Sequence, residues 1–299
     1  MAGLYCFGLL LVFGFAQGEP VDSISELTYI EDIRNAGSQR VSGGWEAEEN
    51  QFPSTVSLRT VSDTGGVSAC TGSVLTNQWI LSAAHCLARR YSYVVMLGQT
   101  NITTPGYMVE TTERYLPDGY NQASSAVQTD DIGLLKLPRS IPYGDSIQPI
   151  RLQSSQRKNV EYAGKQLIFS GYGRTDDWWL GGIVPDIMYW TYQRGITQAE
   201  CRVWYPNSQI INVQTMCAQY YDEPSQNPCT GDGGGPLTMV DLDGKVTQVG
   251  IMSFGARLGC NTPNPQGFVR PEYYHTWIKE VTGTSFDWNV EDLETKTNM

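Results

Sequence analysis

Three stretches of the sequence carry residues that could take part in acid–base or nucleophilic chemistry. His85 lies in Leu-Ser-Ala-Ala-His-Cys, Asp131 in Asp-Asp-Ile-Gly-Leu-Leu, and Gly233 in the stretch Cys-Thr-Gly-Asp-Gly-Gly-Gly-Pro-Leu that begins at Cys229. A histidine transfers protons near neutral pH, and a carboxylate beside it can fix its tautomer. Gly233, in contrast, has no oxygen that could attack a carbonyl, so an acyl-enzyme cannot form on it.

The elements around these residues are predicted to be short strands. β-rich runs alternate with turns that contain Gly, Pro, Asn or Asp, and the long helices of βαβ units are missing, which favours barrels or sandwiches. A helix is predicted only near Glu272 to Val281. The predicted strands are Thr55 to Val61, Trp79 to Ser82, Tyr93 to Leu97, Ile132 to Leu137, Gln166 to Ser170 and Val246 to Phe254.

The amino-acid composition and net charge indicate a globular protein and exclude some classes of partner. The chain has 299 residues, of which 40% are hydrophobic and 17% are charged, as in ordinary soluble proteins of one large or two modest domains. Its net charge is -11, and no run of Lys or Arg occurs. Nucleic acids and anionic membranes both require a basic face, so neither is expected as a partner.

The N-terminal residues predict secretion. The apolar run Leu4 to Phe15, followed by Ala16-Gln17-Gly18, is typical of a signal peptide cleaved near Gly18. No basic residue precedes the apolar run, and a membrane anchor is the alternative, although a span needs about 20 apolar residues. We expect a signal peptide over residues 1–18.

The cysteines agree with secretion. Removal of Cys6 with the signal peptide leaves an even number, which indicates three disulfides, but spacing alone allows fifteen pairings. No Cys-x-x-Cys pair occurs and His85 is the only nearby histidine, so no metal site is predicted. No cofactor is expected either. The sequon at Asn101 predicts a glycan. The remaining cysteines are Cys70, Cys86, Cys201, Cys217, Cys229 and Cys260.

Two polar segments flank the predicted domain. Residues 19–40 contain five acidic residues, two arginines and no cysteine, which predicts an exposed, cleavable pro-segment. An unprocessed linker is the alternative. Residues 281–299 form a polar C-terminal tail, and we expect the part from 285 to 299 to be loose.

The His85, Asp131 and Gly233 motifs resemble those of the chymotrypsin (S1) protease family, and they occur in the family's order. The match extends from the activation-site sequence Arg-Val-Ser-Gly-Gly at 40–44 to Trp277-Ile278. The resemblance implies two antiparallel six-stranded β-barrels with a short C-terminal helix, over residues 41–280, with the barrels at about 41–150 and 151–280.

The resemblance also implies roles for the site residues. His85 matches the general base, Asp131 the carboxylate that orients it, and Gly233 the nucleophile, where the family has serine. The alternative is that His85 and Asp131 form an ordinary polar pair that supports two strands. The backbone N–H groups of Gly231 and Gly233 match the donors of the family's oxyanion hole. The alternative is that the glycines make the loop too flexible to hold these donors in place.

Activation and disulfides follow from the same resemblance. A cut after Arg40 would free the Val41 ammonium to pair with Asp232, although Ser42 stands where the family usually has valine. With no cysteine in the mature pro-segment, the released piece is expected to diffuse away. The implied bridges are Cys70 with Cys86, Cys201 with Cys217, and Cys229 with Cys260.

Two further regions could bind a partner. Asn227 matches the floor of the family's specificity pocket, and Gly255 and Gly267 match its walls, so the neutral pocket would accept an aromatic or aliphatic side chain. An unused groove is the alternative. Trp178 and Trp179 in a variable loop could anchor a partner or fold onto the base of that loop.

These observations support three interpretations of function. The first is a secreted, non-catalytic protease homologue, similar to those of arthropods, that binds a protease, an inhibitor or a peptide segment after activation by a trypsin-like protease. Its role would be to regulate a protease cascade, capture inhibitors or recognise a foreign surface. The second is an active chymotrypsin-like endopeptidase in which residue 233 is really serine. The third is a structural or storage protein without a saturable partner.

Overall fold

Two β-barrels form the described part of the chain. The computed structural model describes residues 27–30, 44–124, 126–175, 183 and 185–290. Nearly all strand pairs are antiparallel, and only β10 runs parallel to its partner β15. The strands, in chain order, are β1 Leu27–Tyr29, β2 Trp45–Glu46, β3 Thr55–Val61, β4 Val67–Val74, β5 Trp79–Ser82, β6 Ser92–Leu97, β7 Tyr107–Thr111, β8 Arg114–Tyr115, β9 Gly133–Lys136, β10 Arg151–Leu152, β11 Gln166–Gly171, β12 Tyr189–Ile196, β13 Thr215–Tyr220, β14 Pro236–Val240, β15 Val246–Ala256 and β16 Gln266–Val269.

The first barrel is a seven-stranded sheet in the order β7-β6-β3-β4-β5-β9-β8. The second is a nine-stranded sheet, in which β1, β2 and β10 are additional short strands beside β11 to β16. The six main strands expected in each barrel are present, and the additional strands are short. Without the two-residue strand β8 the first sheet has six strands, and without β1, β2 and β10 the second has six. These extra strands are too short to produce a sequence pattern of their own.

Each barrel buries its own apolar cluster. In the first barrel, Leu58 of β3, Leu81 of β5 and Leu134 of β9 are fully buried. In the second barrel, Phe169 of β11 packs with Phe268 of β16, their ring centroids 6.3 Å apart. Alternation along the strands directs these side chains to the barrel interiors. Burial of these clusters fixes the strand register, which in turn positions the loops between strands.

Polar contacts join the two barrels. The hydroxyl groups of Thr55 and Ser170 lie 2.7 Å apart, and the Ser73 hydroxyl donates to Gln248 Oε1 at 2.8 Å. Thr55, Ser170, Ser73 and Gln248 are all buried. Because these buried polar groups are satisfied across the boundary, the two barrels pack directly against each other.

Three short α-helices accompany the barrels: α1 Ala84–Leu87, α2 Gln198–Trp204 and α3 His275–Thr282. The predicted C-terminal helix exists, but it starts later than expected because Pro271–Tyr273 forms a separate 3₁₀ turn. The expectation of a single helix is wrong. For α2 the sequence did hold a signal, since Thr197 and Glu200 form a reciprocal capping box at its start.

The C-terminal segment is docked as far as the structure describes it. The Trp288 indole donates to the Leu152 carbonyl at 2.8 Å, and the Arg151 guanidinium lies 4.3 Å from the centre of the Trp288 ring. Asp287 accepts a hydrogen bond from the Ser155 backbone at 2.9 Å. The expectation of a loose tail is therefore wrong for residues 287 and 288, and residues 291–299 lie outside the described part.

Candidate functional site

His85 is positioned by the turn that follows β5. The helix α1 begins directly after this strand, and its third residue, Cys86, is bonded to Cys70 of β4. The disulfide ties the helix to the neighbouring strand and thereby limits the movement of His85. The imidazole is almost fully covered, with 5% of the side chain exposed.

Asp131 holds the histidine in two places. Its Oδ2 lies 2.7 Å from His85 Nδ1, and its Oδ1 accepts the His85 backbone N–H at 2.8 Å. The Ser253 hydroxyl donates to the same carboxylate. Asp131 is fully buried, so these donors replace water around it. The ring therefore presents Nε2, the atom opposite Asp131, as its proton acceptor.

Gly233 lies on the Nε2 side of the imidazole. His85 Nε2 is 3.6 Å from the sulfur of Cys86, and the Gly233 carbonyl oxygen is 3.4 Å from the same sulfur. The loop is held through its backbone: Thr71 N–H donates to the Gly233 carbonyl at 2.8 Å, and Thr71 hydroxyl donates to the Gly231 carbonyl at 2.9 Å. The histidine thus faces a residue that offers no hydroxyl.

Asp232 is anchored next to this loop. Its carboxylate accepts the backbone N–H of Gly173 and of Cys229, each at 2.8 Å, and only 7% of the residue is exposed. The predicted activation residues Arg40 and Val41 lie outside the described part of the chain. The pairing of Val41 with Asp232 stays a prediction.

The region of the predicted pocket contains polar groups that the sequence did not reveal. The Asn227 amide donates to the Cys260 and Thr262 carbonyls at 3.3 and 2.9 Å. A side chain added at Gly255 would meet the Gln266 amide, whereas one added at Gly267 would meet the Phe254 ring. Gln266 is fully buried and has no hydrogen-bond partner among the described residues.

Sequence reasoning therefore missed Gln266 beside Gly255. Its position next to Gly267 gave no indication of burial, because glutamine is usually exposed. Only the pairing of β13 with β16, which sets Gln266 opposite Ala218, places its side chain inward.

Comparison with known proteins identifies the family. The family model for trypsin matches residues 41–278. The chain belongs to the trypsin family.

Related proteins cover almost the whole chain. It is 32% identical over 278 residues to a collagenase of Hypoderma lineatum, covering 93% of this chain and 99% of the relative. It is 30% identical over 264 residues to serine protease 1 of Drosophila melanogaster, covering 87% and 90% of the two chains. The solved structure of HL collagenase superposes with a TM-score of 0.71 at 31% identity, covering 82% of this chain and all of the other.

A more distant structure has the same fold. Neuropsin, a serine protease expressed in the limbic system of mouse brain, superposes with a TM-score of 0.67 at 26% identity, covering 80% of this chain and 98% of that one. Together with the strand order, this confirms the predicted fold class. Among the helices of the described residues, none combines the length and apolar character needed to cross a bilayer.

The trypsin-family chain has the three disulfides that the resemblance implied. They are Cys70–Cys86, Cys201–Cys217 and Cys229–Cys260. Cys70, His85 and Cys86 bring potential metal-ligating atoms within 4.8 Å of one another. Both sulfurs, however, are joined in one disulfide and form no thiolate, so this cluster does not fit a metal ion.

Other predicted positions fall outside the cleft or outside the described residues. At Asn101, the side-chain oxygen accepts the backbone N–H and the hydroxyl of Thr103 at 2.9 and 2.7 Å, and glycosylation there stays a prediction. Trp178 and Trp179 lie outside the described residues, as does the predicted signal peptide.

The trypsin-family cleft is occupied by residues of the predicted pro-segment. Tyr29 and Ile30 are buried, with 4% and 0% exposed, so the expected exposure of residues 19–40 is wrong for these two. Tyr29 stacks on His85 with ring centroids 4.2 Å apart. Burial, followed by the charge of Asp131, raises the pKa of the Tyr29 hydroxyl well above its ordinary value. No hydrophobic periodicity could reveal a segment this short.

Proposed function

We propose that this chain is a secreted trypsin-family homologue that does not catalyse peptide hydrolysis and acts by binding proteins, in the regulation of proteolysis or of an immune-type cascade. One observation carries the proposal: Gly233 occupies the loop position beside His85 Nε2 and has no side-chain oxygen. The His85–Asp131 pair can accept a proton, but the neighbouring residue has no hydroxyl to supply one.

The catalytic rate that is lost without a nucleophile supports a non-catalytic role. Removal of the nucleophile from the convergent protease subtilisin lowers kcat by about 10⁶, or roughly 8 kcal/mol. Residual acceleration over water of about 10³ from binding and backbone donors is too slow for a useful peptidase. The backbone that forms the cleft needs no serine, and it leaves a surface for binding.

Secretion is supported by the chain's chemistry. The three disulfides among the described residues suit an oxidising compartment. The apolar run at Leu4 to Phe15 supplies a signal peptide. The activating partner would be a trypsin-like protease that cuts after Arg40, and the other partner would be a protease, an inhibitor or a peptide segment.

The proposal is tested by restoring the hydroxyl. Gly233 does not have the positive φ of its neighbours Gly231 and Gly234, at 100° and 80°, so its backbone accepts an L-residue. Wild type, Gly233→Ser and the matched control Gly233→Ala are cut with a trypsin-like protease and treated with a fluorophosphonate probe. We expect labelling of Gly233→Ser only. Labelling of the wild type at a similar rate would refute the loss of catalysis.

The second candidate is an active chymotrypsin-like endopeptidase. It is favoured by the intact hydrogen bonding of Asp131 to His85 and Ser253. It requires serine at residue 233 in the natural protein, since serine and glycine codons can differ by one base. Sequencing of the natural transcript distinguishes the two candidates.

A further inference from the structure

The segment Leu27–Ile30 lies in the cleft as an added strand. Its strand β1 pairs antiparallel with the end of β15, with Leu27 opposite Ala256, Thr28 opposite Gly255 and Tyr29 opposite Phe254. The residue before Phe254 is Ser253, which donates to Asp131. Main-chain pairing with an exposed sheet edge is a common way to bind an extended peptide, and pockets for the side chains then give selectivity.

Tyr29 covers the histidine. Its ring is nearly parallel to the imidazole of His85, at 22°, and its hydroxyl lies 3.1 Å from that of Tyr120. The aromatic side chain therefore fits a site made by the flat face of His85 and a polar end at Tyr120. This contact also accounts for the small exposure of His85.

Ile30 fills an apolar site next to the glycine-rich loop. It is fully buried and belongs to the same hydrophobic cluster as Cys229 and Cys260. Its carbonyl oxygen accepts a hydrogen bond from the Thr230 hydroxyl at 3.3 Å. Burial of an apolar side chain is favourable in proportion to the area removed from water, so this residue is an apolar anchor of the segment.

The cleft continues beyond the tyrosine. A cavity of about 740 Å³ is lined by Tyr29 and His85 at one side and by Arg89 and Arg90 elsewhere, with Asp63 also in its wall. Two arginines against one aspartate favour acidic residues in a bound peptide. In the sequence, Ile30 is followed by Glu31 and Asp32.

We infer that Leu27–Ile30 is a tethered ligand of the chain's own cleft, and that the cleft, once free, binds an external extended peptide with an aromatic residue followed by an aliphatic one. This inference rests on the proposed binding function and names its ligand class. While the chain is uncut, the segment blocks the cleft. Cutting after Arg40 breaks the covalent connection, and the segment then dissociates on dilution.

The covalent connection of Leu27–Ile30 to the rest of the chain determines how much more weakly the uncut protein binds an external peptide. Because the segment belongs to the same chain as the cleft, it acts at an effective concentration on the order of millimolar. For a free peptide with a Kd of roughly 10 µM, the uncut chain should bind that peptide about 100-fold more weakly than the cut chain from which the segment has been removed. Cutting therefore converts a closed cleft to an open one without any catalytic step.

The test uses a fluorescent synthetic peptide of residues 22–36 and measures fluorescence anisotropy. Wild type is examined uncut and after cutting and gel filtration, with cleavage checked by mass spectrometry. We expect saturable binding to the cut protein and about 100-fold weaker binding to the uncut protein. Peptides with Ile30→Asp or Tyr29→Leu should bind the cut protein more than tenfold more weakly.

A variant of the uncut chain makes the result independent of cutting. Ile30→Asp places a charge in the apolar site and should release the segment, so the uncut variant should bind the wild-type peptide as tightly as the cut wild type. The matched control is Ile183→Asp, because Ile183 is 65% exposed and does not line the cavity beside Tyr29 and His85. This control should keep the weak binding of the uncut wild type.

Proton NMR gives a second readout, because the chain has only 2 histidines. Release of the Tyr29 ring should shift the His85 ring signals in Ile30→Asp, whereas the buried His275 should keep its signals. Equal peptide affinity of uncut wild type, cut wild type and Ile30→Asp, together with unchanged His85 signals, would overturn the tethered-ligand inference. That result would leave the lack of fluorophosphonate labelling untouched, so the two proposals fail separately.

Discussion

The histidine side and the loop side of the cleft are held in place by different kinds of contact. On the histidine side, position depends on side chains, since the Asp131 carboxylate binds both His85 and Ser253. On the loop side, position depends on the loop's own backbone carbonyls: those of Gly231 and Gly233 accept hydrogen bonds from the hydroxyl and the N–H of Thr71. A change of side chain at residue 233 can therefore remove chemistry without removing the shape that binds a peptide.

The largest expected effect tests the histidine side in a chain that has regained the hydroxyl. In the Gly233→Ser background, Asp131→Asn should lower the rate of fluorophosphonate labelling by about 10⁴, because asparagine favours the wrong tautomer of His85. The measurement is the labelling rate of the cut protein by gel fluorescence. In the Gly233 chain, the same substitution should leave the affinity for the peptide of residues 22–36 nearly unchanged, because Tyr29 stacks on His85 and not on Asp131.

An equal labelling rate for both serine variants would contradict this account. It would mean that the His85–Asp131 pair only supports the strands. A thermal melt of each variant serves as the control, because Asp131 is buried and its replacement also removes hydrogen-bonding capacity.

The next largest effect is a loss of stability at Gly234, where the glycine-rich loop contacts the residues that precede His85. Gly234 has φ of 80°, and a Cβ there would lie 2.0 Å from the Ser82 hydroxyl and 2.8 Å from the Ala83 nitrogen. Gly234→Ala should therefore lower the free energy of unfolding by about 3–5 kcal/mol through backbone strain and overpacking. The measurement is denaturant unfolding followed by tryptophan fluorescence.

Gly244 provides the matched control. Its φ is 77°, but a Cβ there would meet nothing within 4 Å. Gly244→Ala should cost only about 1–2 kcal/mol, the penalty of the left-handed backbone alone. Equal costs at the two positions would show that the contact between loop and histidine side is not tightly packed.

Disulfide removal separates stability from binding. The Cys70–Cys86 bond spans 16 residues on the histidine side, and Cys229–Cys260 spans 31 residues beside the loop. Replacing either pair by alanine should lower the free energy of unfolding by about 3–4 kcal/mol, since loop-closure entropy varies slowly with length. Only the loss of Cys229–Cys260 should also weaken peptide binding to the cut protein, by more than tenfold, because these cysteines contact the Ile30 site.

The alanine pair at Cys201 and Cys217 is the control for this comparison. This bond also closes a loop of 16 residues, and its cysteines pack near Leu27 rather than at the Ile30 site. Its removal should reduce stability by a similar amount, with a smaller loss of affinity than removal of Cys229–Cys260. If removal of Cys70–Cys86 weakens binding as strongly as removal of Cys229–Cys260, the cleft is not divided as described above.

The sequence predicted most of the barrel strands near the site but not the segment that occupies the cleft. The predicted Thr55 to Val61 and Trp79 to Ser82 coincide with β3 and β5, because short β-rich runs between turn residues have a local signature. Leu27–Ile30 lacks one. Its burial comes from contacts with residues more than 50 positions away, such as His85 and Phe254, and only the folded chain brings these together.

The site itself was predictable to a similar degree. The motifs named His85, Asp131 and Gly233, and the fold places these residues together. Gln266 and Trp288 were missed for physical reasons: the first is a polar residue buried by strand register, and the second packs on Arg151 at the end of a segment with polar composition. Composition averages over such single contacts, so it predicts a loose tail where one aromatic ring is docked.

The smallest expected effect is a pH dependence of the free energy of unfolding. Glu272 is fully buried behind β16, where its carboxylate contacts the Arg270 guanidinium at 2.6 Å. Burial outweighs the charge of Arg270 and raises the pKa of Glu272 to about 7. Because the folded state binds this proton more tightly than the unfolded state, the contribution to stability is present below about pH 4.5 and is lost as pH rises through about 7.

Wild type should therefore lose up to about 3 kcal/mol of unfolding free energy between pH 4.5 and 8 through this one group, whereas Glu272→Gln should not. The measurement is urea unfolding of both proteins across this range, with the difference between the two curves as the quantity of interest. Glutamine keeps the shape and an acceptor for Arg270, so it serves as its own packing control. Parallel curves would place the carboxylate in the charged form throughout, with Arg270 compensating fully for its burial. A difference that grows with pH, together with equal His85 NMR signals in the two proteins at each pH, would show that the turn after β16 can be loosened without disturbing the histidine side.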